Sequence, residues 1–301
     1  MKRFIAFFLM SVMLISSLIP GQRVLADSVE EKPYLSLGAD LNETEKKTVL
    51  ELLEVDGQNL NLYTLGQVTN KEEHEYLSEY VPANVIGTRA LSSVLVTLKE
   101  KGHGIDVSTK NITYCTGGMY RNALATAGIQ DADVVVAGPF NITGTAALVG
   151  AMKAYEAMTG ETISDETKDA ATNELVATGD LAETLGDSNA AEELIALVKE
   201  KVVSQDLTSL EEIKKAIEDA CKDLQITLSD EDRQMILDLM DKIKNLDIDV
   251  DQLKEQAKAV YDKLAEMGID LKSESFWQSV KDFFDRIFDT IIGFFGQSEE
   301  K

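Results

Sequence analysis

The amino-acid sequence predicts an α/β fold in the first half of the chain, with α+β also possible, followed by an all-helical second half. Strand-like and helical segments alternate from Tyr34 to Gly160, which is typical of layered α/β structures. Within that half, Asp133-Val-Val-Val136-Ala is a continuous apolar run, as expected for a central strand covered on both faces. Beyond Ser164 the β-branched runs stop, and capped amphipathic helical segments follow one another.

These patterns divide the chain into four predicted regions. They are a signal peptide at 1–26, an α/β domain at 27–162, a helical domain at 163–272 and an aromatic amphipathic C-terminal helix at 273–301.

The first half supplies the predicted sheet and its helices. Alternating side chains predict three strands, at Tyr34–Leu41, Leu60–Leu65 and Ile105–Thr116. Capping-box residues at Asn42 and Glu45 precede the first helix, an acidic helix is predicted around Lys71–Tyr80, and Gly117-Gly118 opens a short third one.

A ten-residue segment occurs twice in this half. Pro82-Ala-Asn-Val-Ile-Gly-Thr-Arg-Ala-Leu91 returns as Pro139-Phe-Asn-Ile-Thr-Gly-Thr-Ala-Ala-Leu148, and apolar residues at helical spacing follow each copy. We therefore predict two equivalent Gly-Thr helix starts, with helices running on from Leu91 and from Leu148. Such starts are typical of helix caps, and they are also able to bind anions through free amides and the helix dipole.

The cap is the favoured interpretation of both copies. The ligand-binding alternative names a speculative set of residues at or near the two starts: Thr88, Arg89, Arg121, Gly144 and Thr145. No catalytic residue and no metal ligand is predicted.

Two further capping boxes and two amphipathic faces mark the helical half. The boxes are Asn189–Glu192 and Thr208–Glu211. Apolar residues at helical spacing define the faces, one containing Ile236, Leu239, Met240 and Ile243 and the other running from Leu253 to Leu264.

The N-terminus has the pattern of a secretory leader. Lys2 and Arg3 precede an apolar run, and Val24-Leu-Ala26 provides small residues at the cleavage point. Cleavage after Ala26 predicts a secreted or cell-wall-associated protein that begins at Asp27. No later apolar stretch predicts a transmembrane segment.

Charge and cysteine content narrow the classes of function. The chain carries 29 basic and 53 acidic residues, a net charge of −24, and such a surface repels nucleic acid. Cys115 and Cys221 are too few for a disulfide framework, and two separately buried thiols are favoured over a single bridge.

The C-terminal segment from Phe276 to Phe295 concentrates the aromatic residues and contains the single Trp. Its apolar face is compatible with membrane-surface or partner contact, but its polar face is slightly acidic where interfacial helices carry Lys and Arg. We favour docking of this helix on its own protein.

Catalytic motifs are missing from the sequence. His74 and His103 are the only histidines, and no metalloprotease, nucleophile-elbow, phosphate-loop or dinucleotide fingerprint occurs. Asp247–Asp251 begins like a calcium loop, but Gln252 replaces the turn glycine, so an EF-hand is rejected. No cofactor is predicted.

Several segments together resemble the secreted family known as domain of unknown function 1002. They are Leu37-Gly-Ala-Asp-Leu41, Val85-Ile-Gly-Thr-Arg-Ala90, Asn122-Ala-Leu-Ala-Thr-Ala-Gly-Ile129 and Gly144-Thr-Ala-Ala-Leu148, within a match from about 34 to 264. The resemblance implies a signal peptide and a Gram-positive bacterial source, and it brings no established activity or catalytic residues. Thr143 stands where the family pattern leads us to expect Ser.

Two hypotheses about function remain. The favoured one is a non-enzymatic envelope protein that binds a wall component, a peptide or another protein. The alternative is an extracellular hydrolase or anionic-ligand enzyme, which requires Thr88, Thr145, Arg121 and His103 to meet in one cleft.

Overall fold

A five-stranded mixed sheet forms the centre of the first half of the chain. The computed structural model describes residues 32–254, 257 and 258, and not the side chains of residues 84 and 85. The predicted signal peptide, the aromatic segment from Phe276 to Phe295 and most of the helix predicted from Leu253 lie outside these residues.

The strands are β1 (Tyr34–Gly38), β2 (Thr64–Val68), β3 (Ser93–Leu98), β4 (Ile105–Ile112) and β5 (Ala132–Ile142). Their order across the sheet is β2-β1-β3-β5-β4. Only β3 is antiparallel to its neighbours, so the other four strands end at the same edge, which we call the carboxyl edge.

Five helices belong to this half: α1 (Glu43–Leu52), α2 (Asn70–Leu77), α3 (Ala83–Ile86), α4 (Gly117–Thr126) and α5 (Thr145–Thr159). Among the described residues these are followed by α6 (Asp165–Leu185), α7 (Ser188–Ser204), α8 (Leu210–Leu224) and α9 (Asp230–Ile243). An α/β half followed by a helical half is therefore confirmed as the fold class.

The two faces of the sheet are covered by different helices. Helix α1 packs Val49 and Leu50 on one face, against Leu35 and Ala137. On the other face, Val94 and Val134 share a core with α4 and α5, and that core continues through the helical half, as far as Ile236. One hydrophobic core thus crosses the predicted domain boundary at 162/163, which itself stays a prediction.

Helix α4 is joined to α6 and α7 by a buried ion pair. The side chains of Glu174 in α6 and Lys199 in α7 are both 0% exposed, and their charged atoms are 2.7 Å apart. Lys199 also donates to the Asn122 carbonyl (2.8 Å) and to the Thr126 hydroxyl (3.0 Å), so all three of its protons are used. Thr126 in turn donates to Glu174. Three helices are therefore fixed around one pair of charges.

Strand β2 is the outermost strand on one side of the sheet, beside helix α5. The Val68 carbonyl accepts from Ala39 N, at the end of β1. Since carbonyls alternate along a strand, the neighbouring Gln67 carbonyl faces away from β1. Lys153 of α5 donates to that carbonyl at 2.7 Å and pairs with Glu72 of α2 at 2.5 Å.

The two copies of the repeated segment differ in structure. Gly144 is the N-cap of α5, as predicted, whereas Gly87 follows the short helix α3 as its C-cap. The helix predicted from Leu91 is wrong, because Ser93–Leu98 forms β3 between β1 and β5. Both glycines have a positive φ, +82° and +100°, which glycine adopts without strain, and this positive φ is the common feature of the copies.

Several local boundaries also differ from the predictions. A short 3-10 helix at Leu60–Leu62 precedes β2, which begins at Thr64. Asp187 rather than Asn189 caps α7, and the cap of α8 is Ser209 with Glu212, one residue beyond the predicted box. The capping box at Asn42 and Glu45 is confirmed.

Candidate functional site

Four of the five predicted ligand-binding residues lie at the carboxyl edge of the sheet. Gly144 and Thr145 follow β5, whereas Thr88 and Arg89 precede β3, whose antiparallel direction places its start at the same edge. In α/β sheets this edge is where ligands commonly bind.

Arg121 and His103 lie at the opposite edge. Arg121 Nε donates to the carbonyl of Ile105, the first residue of β4, at 3.1 Å. Gly144 lies beside Ile112, the last residue of β4, since a Cβ added to Gly144 would contact the Ile112 side chain. At the rise of a β-strand, Ile105 and Ile112 are about 23 Å apart. His103 Nε2 lies 2.8 Å from Asp133 near the start of β5. The structure does not bring together the four residues that the hydrolase hypothesis requires.

The N-terminus of α5 is occupied by a carboxylate of the protein itself. Gly144 provides no side-chain cap, and Thr145 donates its hydroxyl to Glu73 Oε1 of α2 at 2.5 Å. Glu73 is only 2% exposed, and burial raises its pKa although the Thr145 and Asn70 hydrogen bonds oppose this rise. Because the α5 amides carry the positive end of the helix dipole, this position favours an anionic group.

Helix α4 begins in the same way, beside α7. Thr116 caps α4 and donates its hydroxyl to the carboxylate of Glu192. A Cβ on Gly118 would overlap that carboxylate, so the glycine is what lets it approach the first turn. Asn122 one turn later donates to the Glu192 carbonyl at 3.0 Å and fixes α7 against α4.

Arg89, the cation of the predicted set at this edge, already has an acidic partner. Its guanidinium lies 2.5 Å from Glu45 and donates to the Asp40 carbonyl at 2.7 Å. The Arg89 hydrogen bond is the main cause of a lowered Glu45 pKa. The starts of α4 and α5 and the Arg89 side chain thus each hold a carboxylate of this chain. Of these three, the α5 start and Arg89 belong to the predicted anion site, whereas the α4 start does not.

The buried thiol at this edge is chemically inert. Cys115 is 1% exposed, between β4 and α4, and burial raises its pKa to about 12. A reactive cysteine needs a lowered pKa and access to solvent. Both cysteines are free and buried, as the favoured interpretation predicted.

An open acidic cleft lies at the other end of α4 and α5. Its volume is about 850 Å³, within the range of small-molecule pockets. It is lined by Ala127 and Gly128 after α4, by the end of α5 and the start of α6, and by the end of α9. Five lining residues are acidic: Glu161, Glu166, Asp169, Asp241 and Asp247.

The backbone adds to the negative potential of this cleft. The C-terminal ends of α4, α5 and α9 meet there, and helix C-termini stabilise cations; the N-terminal end of α6 lies there too and acts in the opposite sense. Within the described part of the chain, no group of three or more His, Cys, Asp or Glu side chains is arranged to hold a metal ion. The cleft therefore combines a predominantly acidic lining with a volume of about 850 Å³.

These acidic contacts could not be predicted from local sequence patterns. Glu73 reaches Thr145 across 72 residues, and Glu192 reaches Thr116 across 76. The cleft combines residues from 127 to 247, and no local sequence pattern links them.

Comparisons with known proteins agree with the resemblance seen in the sequence. The family model described as "Protein of unknown function (DUF1002)" matches residues 37–260. A Bacillus subtilis (strain 168) protein named "Uncharacterized protein YpuA" is 40% identical over 272 residues, which cover 90% of this chain and 92% of the relative. No solved structure matches the chain. No helix within the described residues has both the length and the apolar character to cross a membrane.

Proposed function

Since the chain belongs to the DUF1002 family, which carries no assigned activity, we propose its function from its own geometry: an exported, non-enzymatic binding protein of the bacterial envelope. Its ligand is a cation, either a basic peptide or an amine-bearing wall component. The acidic cleft is the observation that carries the proposal.

Charge and openness support a cationic ligand. Five carboxylates and three helix C-termini, against one lysine and one helix N-terminus, face a volume of about 850 Å³. The net charge of −24 would draw basic ligands towards the protein over a distance set by the salt concentration. At the carboxyl edge, in contrast, an anionic ligand would have to displace Glu45, Glu73 or Glu192.

Titration calorimetry of residues 27–301 with a trilysine peptide at low salt tests the cleft. We expect saturable binding that weakens with added salt and is lost in a Glu166→Gln, Asp247→Asn double variant. The matched control is Glu51→Gln with Asp251→Asn, which removes the same charge from side chains 67% and 95% exposed. Equal binding by the two double variants, or no binding at all, would contradict a cationic ligand in this cleft.

Export is tested on the cells that make the protein. We expect the chain in the medium or wall fraction, with Asp27 as its first residue by mass spectrometry. Recovery of the chain with Met1 retained, or with a lipid attached, would show that the predicted cleavage is wrong.

A further inference from the structure

The acidic cleft contains an ammonium group of the protein itself. Among the described residues that line it, Lys242 of α9 is the single basic one. Its Nζ lies 2.7 Å from the hydroxyl of Tyr80, in the loop between α2 and α3, and 2.9 Å from Asp169 Oδ2 of α6. It also lies 4.8 Å from the centre of the Tyr80 ring.

Tyr80 and Asp169 supply what an alkylammonium group requires. The ring face attracts a cation through its quadrupole, the carboxylate provides the countercharge, and the phenol oxygen accepts a hydrogen bond. Tyr80 also donates its hydroxyl to Asp169, so the two acceptors are held together. Burial, with help from Asp169, raises the pKa of Tyr80 to about 12, and the phenol therefore stays protonated at neutral pH.

Lys242 is able to leave this position. The Lys242 and Asp169 side chains are 37% and 40% exposed, and ion pairs in contact with solvent are weakly held. The lysine ammonium ends a flexible four-carbon chain, so it reaches water by rotating its own side chain.

We infer that Tyr80 and Asp169 form an alkylammonium subsite, which Lys242 occupies in the free protein and a primary amine of the ligand takes over on binding. The inference rests on the proposed function and names the ligand group that this function recognises: a lysine side chain or a comparable alkylamine. Lys242 then acts as an internal competitor that lowers the affinity for the ligand.

Removal of the competitor is the direct test. Lys242→Met should bind trilysine about tenfold more tightly if the internal ammonium holds the subsite about nine tenths of the time. Lys242→Gln, which keeps a polar side chain without the charge, should bind more tightly as well and guards against a folding defect in the first variant. Tyr80→Leu should weaken binding, since it removes both the ring and the hydroxyl.

Lys244→Met is the control for net charge. Lys244 lies two residues after Lys242, and its ammonium is 2.6 Å from Asp241, which lines the cleft. Its loss therefore removes the same positive charge from the cleft as the loss of Lys242 does. A gain in Lys244→Met as large as that in Lys242→Met would overturn the subsite, because charge alone would then explain both.

The outcomes separate the subsite from the proposed function. Trilysine binding that is lost in the Glu166→Gln, Asp247→Asn variant but unchanged in Lys242→Met leaves the cleft standing and rejects the subsite. Absence of trilysine binding in the unmodified protein and in every Lys242 variant rejects both. A parallel titration with 1,5-diaminopentane distinguishes the sources of the amine: binding equal to that of trilysine assigns the subsite to free alkylamines, and preference for trilysine assigns it to a peptide.

Discussion

Replacement of Lys199 by methionine should destabilise the fold by about 3–5 kcal/mol, the usual cost of breaking a buried ion pair. The Lys199 side chain is 0% exposed, and its ammonium contributes three hydrogen bonds between α4, α6 and α7. Without it, the equally buried Glu174 carboxylate keeps a donor in Thr126 but no countercharge. The loss is a large part of a total stability of about 5–15 kcal/mol.

The double variant Lys199→Met, Glu174→Met should recover most of this loss. Two apolar side chains of similar volume leave no charge to desolvate, and such replacements are often neutral or stabilising by about 1–4 kcal/mol. The Thr126 hydroxyl would then be free to donate to the Asn122 carbonyl, four residues earlier in α4 and released by Lys199.

The pH dependence of folding stability provides a second test of the Lys199→Met variant. Burial already raises the pKa of Glu174 and lowers that of Lys199. With the lysine gone, Glu174 keeps its proton in the folded state at pH values where the unfolded chain, with a pKa of about 4.3, has lost it. A raised folded pKa means that stability is lost as pH rises, so the deficit of Lys199→Met should grow from pH 5 to pH 8.

Urea denaturation followed by circular dichroism measures these differences. The control is Lys215→Met in α8, where the lysine side chain is 74% exposed and its ammonium lies 2.6 Å from Asp219; its loss of stability should stay near 1 kcal/mol or below. A loss below about 1 kcal/mol in Lys199→Met, or a double variant no more stable than the single one, would refute the reasoning.

Three more predictions concern the carboxyl edge and the sheet. Burial raises the pKa of Glu73, so its ionisation lowers the stability of the fold as pH rises above about 4.5. In urea denaturation, the stability of Glu73→Gln relative to the parent should therefore increase from pH 4.5 to 7. Glu72 should behave oppositely, because the Lys153 and Thr69 hydrogen bonds outweigh burial and lower its pKa. Glu72→Gln should lose stability relative to the parent as pH rises towards about 4.5 and then stay level, and equal trends in the two variants would contradict both assignments. Gly38→Ala should cost about 1–3 kcal/mol in urea, since its Cβ would overlap the loop backbone before β3, whereas Gly57→Ala, with 3.4 Å to the nearest atom, should be nearly neutral. The Cys115 thiol should resist iodoacetamide at pH 8 until urea unfolds the chain, and rapid labelling of the folded protein would show that it is not buried.

Elements with strong local signals could be predicted from the sequence. The continuous apolar run from Asp133 is an interior strand, and the capping box at Asn42 starts a helix, because both signals depend on residues close together in the chain. The prediction of a helix after Leu91 was wrong for a physical reason. Its apolar spacing fits a helix and a buried strand equally, and pairing with β1 and β5 decides between them.

The candidate site was predictable only in part. Gly144 and Thr145 do begin a helix at the edge of the sheet where ligands commonly bind. The identity of the anion there could not be predicted, since Glu73 comes from a distant helix and no local pattern links the two positions. The acidic cleft depends on how α9 packs beside α6, which composition does not determine.

The contact between Lys153 and strand β2 affects how copies of this protein behave at high concentration. An exposed strand edge invites a strand of another molecule to extend the sheet, and this is a common route to aggregation. Here the Lys153 ammonium is bonded to the outward Gln67 carbonyl, and an incoming strand would have to displace it. Because β2 is only five residues long, blocking one of its few outward acceptors removes a large share of the bonds that an incoming strand could form. The same lysine that fastens α5 to α2 therefore also hinders growth of the sheet at β2, one of its two outermost strands.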